Sequence, residues 1–85
     1  MKSVEIYTTE FCGYCRMAKR LLDTRSIAFT EISLDREPER RGEMVARAKG
    51  RRTVPQIFIG GSHVGGCDDL YALERSGGLE SLLAA

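Results

Sequence analysis

The stretch Val4-Glu5-Ile6-Tyr7-Thr8-Thr9-Glu10-Phe11-Cys12-Gly13-Tyr14-Cys15 changes period along its length, and the rest of the chain is read outward from that change. Val4, Ile6 and Thr8 alternate with Glu5, Tyr7 and Thr9, which predicts a strand over residues 2–8. From Gly13 to Thr24 the apolar residues Cys15, Ala18, Leu21 and Leu22 recur at helical spacing. Arg16, Lys19, Arg20 and Asp23 take the opposite side, so this is an amphipathic helix. The Cys-x-x-Cys pair therefore falls where a strand hands over to a helix. Cys12 sits at the helix tip and Cys15 about one turn further in.

Beyond that helix, Ile27 to Leu34 alternates again, with Ile27, Phe29 or Ala28, Ile32 and Leu34 as candidates for burial in a second strand. Asp35-Arg36-Glu37-Pro38 reads as a helix entry, acidic and with an early proline. That helix is expected to run to Lys49, burying Met44, Val45 and Ala48, with Gly42 weakening its first turn and Gly50 as its stop. Gln56-Ile57-Phe58-Ile59 is a short buried strand, Gly60-Gly61 a hairpin turn, and Ser62-His63-Val64 the returning strand. Asp68-Asp69 opens a helix carrying Leu70, Tyr71 and Leu73, closed by Gly77-Gly78. Leu79, Leu82 and Leu83 lie on a last helical piece. The order is β-α-β-α-β-β-α with a short helix at the end. The first βαβ unit is parallel and right-handed, and the last two strands form an antiparallel hairpin. An α/β fold with helices on both faces of a four-stranded mixed sheet accommodates this order, which is the thioredoxin-like arrangement.

A chain of 85 residues makes one small domain, residues 1–85, with one compact core. Its 42% hydrophobic and 29% charged residues are those of a globular protein. Thirteen Lys and Arg against twelve Asp and Glu leave +1, giving no electrostatic reason to expect nucleic acid or an anionic membrane as partner. No apolar run approaches the roughly 20 residues that span a bilayer, and Met1-Lys2-Ser3 leads straight into the first strand without an apolar signal region. A cytoplasmic protein is expected. Three unevenly spaced cysteines do not suit a disulfide-stapled scaffold, and in a reducing compartment a Cys-x-x-Cys pair is catalytic or metal-binding.

For catalysis, the helix tip is the right place. Unpaired N–H groups and the helix dipole there favour a thiolate, the form that attacks disulfides. Cys12 is then the attacker and Cys15 the resolving thiol, with Arg16 and Lys19 adding positive charge on the same helix. For metal, Cys12, Cys15, His63 and Cys67 can be written as one tetrahedral zinc set. A complete helix and two strands separate its halves, and the fold has an apolar core of its own. His63 is better read as a strand residue on the solvated side. Pro55 in Thr53-Val54-Pro55 belongs at a strand's start because it cannot donate to a ladder. A trans bond is the ordinary expectation for Val54-Pro55; a cis bond would leave the Val54 backbone free to pair with an extended peptide-like ligand. Gly65-Gly66-Cys67-Asp68-Asp69 is a glycine turn leading into an acidic helix start. One aspartate there serves as a cap, while free N–H groups and a carboxylate together suit a small zwitterion.

On Val4–Thr8, Cys12–Cys15, Thr53–Ile59 and Gly65–Leu70, taken in order and spanning nearly the whole chain, the sequence resembles the glutaredoxins, closest to the bacterial glutaredoxin 3 group. The resemblance implies a glutathione-dependent thiol–disulfide oxidoreductase acting on protein–glutathione mixed disulfides and protein disulfides, with ribonucleotide reductase a candidate target. It implies a monomer in which Cys12 takes the glutathionyl group and Tyr14 flanks it. Thr53 and Val54 contact the tripeptide backbone from a cis-Pro55 loop. Gly66, Cys67 and Asp68 hold the γ-glutamyl end, which is the zwitterion that the turn suits. A thioredoxin proper would carry a tryptophan beside the motif, and this chain has none. Two positions depart from the family pattern: Gly13 stands where proline is common, and Thr9 where a cation often lies, leaving Arg41, Arg51 or Arg52 as substitutes. In related glutaredoxins a small residue at the position of Gly13 accompanies a [2Fe–2S] cluster shared by two subunits. The alternative function is therefore an iron–sulfur scaffold with Cys12 as the chain's ligand.

Overall fold

The computed structural model describes residues 1–84; Ala85, the last residue of the expected domain, lies outside the described residues. In chain order the elements are β1 (Val4–Thr8), α1 (Gly13–Thr24), β2 (Thr30–Ser33), a 3-10 turn (Pro38–Arg40) and α2 (Arg41–Arg47). There follow β3 (Gln56–Ile59), β4 (Ser62–Gly65), α3 (Cys67–Ser76) and α4 (Gly78–Ala84). The sheet order is β2-β1-β3-β4. β1 runs parallel to β2 and antiparallel to β3, and β4 returns antiparallel to β3. This is the expected thioredoxin-like sheet, with β1 and β3 at its centre.

Each face of the sheet carries its own apolar cluster. On one, Val4, Ile6, Ile57 and Ile59 meet Ala18, Leu21 and Leu22 of α1, Leu70 of α3 and Leu79 and Leu83 of α4. On the other, Tyr7, Ile32 and Phe58 meet Met44 and Ala48 at α2. Tyr7 is thus fully buried, although alternation with Val4 and Ile6 placed it on the polar side of its strand. The reason is topological: a central strand covered by helices on both faces has no solvated side. Arg47 fastens α2 across this second face. Its guanidinium pairs with Glu5 at 2.8 Å, donates to Tyr7 Oη at 2.9 Å and lies over the Phe58 ring at 4.1 Å.

The remaining differences from the sequence reading are at element ends. β2 is shorter than expected, so Ile27 and Leu34 are buried from loops flanking it. Helical structure begins at Pro38 rather than Asp35. The Asp35 carboxylate instead accepts the backbone N–H of Glu10, tying the β1–α1 loop to the chain leaving β2. α2 stops at Arg47, because Lys49 (φ 57°) and Gly50 (φ 94°) turn left-handed after its cap.

Candidate active site

Cys12 is the N-cap residue of α1, and its Sγ accepts the backbone N–H of Cys15 at 3.1 Å. The sulfur thus occupies the place of a capping oxygen and receives one of the helix's unpaired donors. It is partly exposed, whereas Cys15 is 1% exposed. Burial, and after it the hydrogen bond with Cys12, pushes the Cys15 thiol up to about 12. Lys19 lies one turn beyond Cys15, but its ammonium pairs with Glu31 at 2.9 Å. Thr8 Oγ1 donates to the same Glu31 oxygen at 2.6 Å. These groups line a pocket of about 360 Å³ behind the dithiol rather than in front of it.

In front of Cys12 stands the Val54 carbonyl, 3.8 Å from Sγ, in a loop whose Val54–Pro55 bond is cis. A groove of about 300 Å³ begins there. Tyr14, Thr53, Val54, Pro55, Gly66, Cys67 and Asp68 all line it, so residues from three distant parts of the sequence converge beside Cys12. Tyr14 is exposed, and Cys67 is a free thiol buried at the first turn of α3. Burial, followed by the neighbouring Asp68 charge, pushes the Cys67 thiol up.

At the far wall the two aspartates divide. Asp69, the third residue of α3, accepts the Gly66 N–H at 2.9 Å and pairs with Arg51 at 3.1 Å, which makes it the cap. The Gly66 N–H and then Arg51 hold its carboxyl below the usual range. Asp68 is left exposed at the groove. Gly65 has φ 125°, and a Cβ there would lie 2.2 Å from Asp69 Oδ2, so this turn admits only glycine. Of the three arginines named from sequence, Arg51 lines the groove, while Arg41 donates to the Arg52 carbonyl at 2.9 Å. The sequence reading missed Asp69 as a lining residue, although its place three residues after Gly66 is a capping signal that marks the same turn.

The zinc set is not assembled. Among the described residues no group of three or more His, Cys, Asp or Glu is gathered. His63 is half-buried rather than solvated, bonded to Gln56 at 2.7 Å and set against Phe58 with ring centroids 5.1 Å apart.

A buried resolving thiol one helical turn behind a partly exposed one, faced by a cis-proline loop leading into a central strand of a mixed sheet, defines a thiol–disulfide oxidoreductase of thioredoxin-like fold. Within that class the comparisons are specific. The family model described as Glutaredoxin matches residues 4–64. Glutaredoxin 3 of Escherichia coli (strain K12) is 54% identical over 83 residues, covering 98% of this chain and 99% of that protein. The solution structure of glutaredoxin from Brucella melitensis superposes with a TM-score of 0.84 at 57% identity, over 98% of this chain and 89% of that one. A buckwheat glutaredoxin–glutathione complex gives 0.86 at 36% identity, over 96% and 76%. The chain belongs to the glutaredoxin family. It is a glutathione-dependent thiol–disulfide oxidoreductase whose active site is Cys12-Gly13-Tyr14-Cys15.

Proposed function

We propose that Cys12 attacks the glutathione sulfur of a protein–glutathione mixed disulfide. The Cys12–glutathione S–S bond forms as the protein–glutathione bond breaks, and the protein leaves as a thiolate that takes up a proton. A second glutathione thiolate then attacks the bound glutathione sulfur. Cys12 is released as thiolate and glutathione disulfide departs. With a protein disulfide, Cys12 forms a mixed disulfide with one protein sulfur. Cys15, once deprotonated, attacks Cys12 and frees the reduced protein, and two glutathiones later reduce the Cys12–Cys15 bond.

The observation that carries this reading is the convergence of Cys12 with the groove from Tyr14 to Asp68. Glutathione lies there with its cysteinyl sulfur at Cys12 and Tyr14, its backbone along Thr53, Val54 and Pro55, and its γ-glutamyl end at Gly66, Cys67 and Asp68. Arg51, the single cation among the lining residues, serves a carboxylate of the tripeptide in place of the cation absent at Thr9. The buckwheat relative, solved with glutathione, supports this use of the fold. The protein works as a single-domain monomer in the cytoplasm, with ribonucleotide reductase a candidate protein target. No helix among the described residues is long and apolar enough to cross a membrane.

The test is glutathione-coupled reduction of a small mixed disulfide, with thioredoxin reductase as the comparison reductant. Cys12→Ser abolishes activity, and Cys15→Ser retains reduction of glutathionylated substrates. Equal loss in both variants would show that the one-thiol route is wrong.

The iron–sulfur alternative has less behind it. Among the described residues no group of three or more metal-binding side chains is gathered, so with Cys12 as the chain's ligand four sulfur ligands require a second copy and two glutathione thiolates. Gly13 is the first residue of α1 and a Cβ there meets nothing within 4 Å, so Gly13→Pro folds and is the control. Anaerobic reconstitution that yields no visible absorbance, or equal absorbance in the proline variant, removes the argument from Gly13.

A further inference from the structure

Gln56 is the largest polar side chain, other than the Tyr7 phenol, that is wholly buried, and no step of the chemistry above uses it. Its amide Nε2 donates to the Thr53 carbonyl at 3.1 Å and to Thr53 Oγ1 at 3.2 Å, and its Oε1 lies 2.7 Å from His63 Nε2. These contacts permit one arrangement. A carbonyl only accepts, so the Thr53 carbonyl requires the NH2 group on its side and leaves Oε1 facing the histidine. His63 must then carry its proton on Nε2. The strand pairing explains why they meet. Gln56 and Phe58 share one face of β3, and β4 brings His63 opposite Phe58, so the ring reaches back along that face to Gln56. The chain of hydrogen bonds ends at Thr53, which lines the groove, while His63 is outside it.

We propose that His63 and Gln56 are positioning residues for glutathione: His63 orients the Gln56 amide, and the amide holds Thr53 in the conformation that receives the tripeptide backbone. This rests on the proposed glutathione groove. Removing the histidine donor lets the Gln56 amide rotate, and Thr53 then loses its two anchors without any change in the residues that touch substrate. The loss falls on binding of the glutathionyl group and not on the sulfur chemistry at Cys12. KM for a glutathionylated substrate therefore rises while kcat is little affected.

The experiment is steady-state kinetics on a glutathionylated peptide with His63→Phe, Gln56→Met, the double variant and Asp68→Ala, each with its melting temperature. Phenylalanine keeps a ring against Phe58 and removes only the donor. His63→Gln restores a donor. The expected result is a rise in KM of about three- to tenfold in His63→Phe and in Gln56→Met. The double variant shows no further rise over Gln56→Met, and His63→Gln recovers part of the loss. The proposal is overturned if KM stays within about twofold of the parent in both single variants while Asp68→Ala raises it. It is also overturned if the two effects simply add, or if they appear in melting temperature alone. If Asp68→Ala leaves KM unchanged as well, the failure is that of the groove reading, and the inference falls with it.

Discussion

The two thiols of one motif differ more than their spacing suggests. Cys15 is pushed up to about 12 by burial and by the hydrogen bond with Cys12, so it is protonated at neutral pH. Burial, the largest of these causes, remains when Cys12 enters a mixed disulfide. The resolving step of the two-thiol route therefore stays limited by loss of the Cys15 proton. We expect the single-turnover rate of that step, read on a preformed Cys12 mixed disulfide with no free glutathione present, to rise with pH between about 7 and 9, by up to about tenfold per unit. A rate independent of pH would count against it. At this scale the sequence was informative, because helical spacing alone separates a tip residue from one a turn inward. The burial of Tyr7 was not legible, since whether a strand is central depends on pairings that alternation does not encode.

Elements fix what single residues cannot. α3 begins at a glycine that has no capping side chain of its own, so Asp69 supplies the cap from three residues on. Asp69→Ala should therefore cost about 1 kcal/mol of stability, read from a urea melt. Asp68→Ala should leave the melt nearly unchanged and act on KM instead. The pH dependence follows from the direction of the shift. Held below its ordinary value by the Gly66 N–H and then by Arg51, the Asp69 carboxyl contributes stability above the usual carboxylate range. That contribution is lost as pH falls through the range, so Asp69→Ala narrows its gap from the parent on acidification. A constant gap down to about pH 3 would show that the ionised carboxylate is not the capping group. The acidic turn was readable as a cap plus a ligand contact. Which aspartate does which was not, because that depends on the left-handed Gly65 that brings Asp69 back to Gly66.

Across the whole molecule, two cores back to back share one sheet, and the site stands at one end of the sheet's central strands, β1 and β3. Leu22 in the larger core and Met44 in the smaller are both fully buried. Truncating either to alanine should cost about 2–5 kcal/mol, a large part of the about 5–15 kcal/mol that holds a small domain together. Thermal melting measures the loss. Activity per folded molecule, assayed well below the melting transition, should survive Leu22→Ala, because Leu22 does not itself line the groove. The groove itself draws on Tyr14, Arg51, residues 53–55 and residues 66–69, and it comes into being only when these are brought together by the completed sheet. A ligand that fits it can bind the folded chain and finds nothing comparable in the unfolded one. With glutathione as its proposed occupant, the free tripeptide would weigh by mass action on the folding equilibrium itself, so that the supply of reduced glutathione would set the stability of the enzyme as well as its turnover.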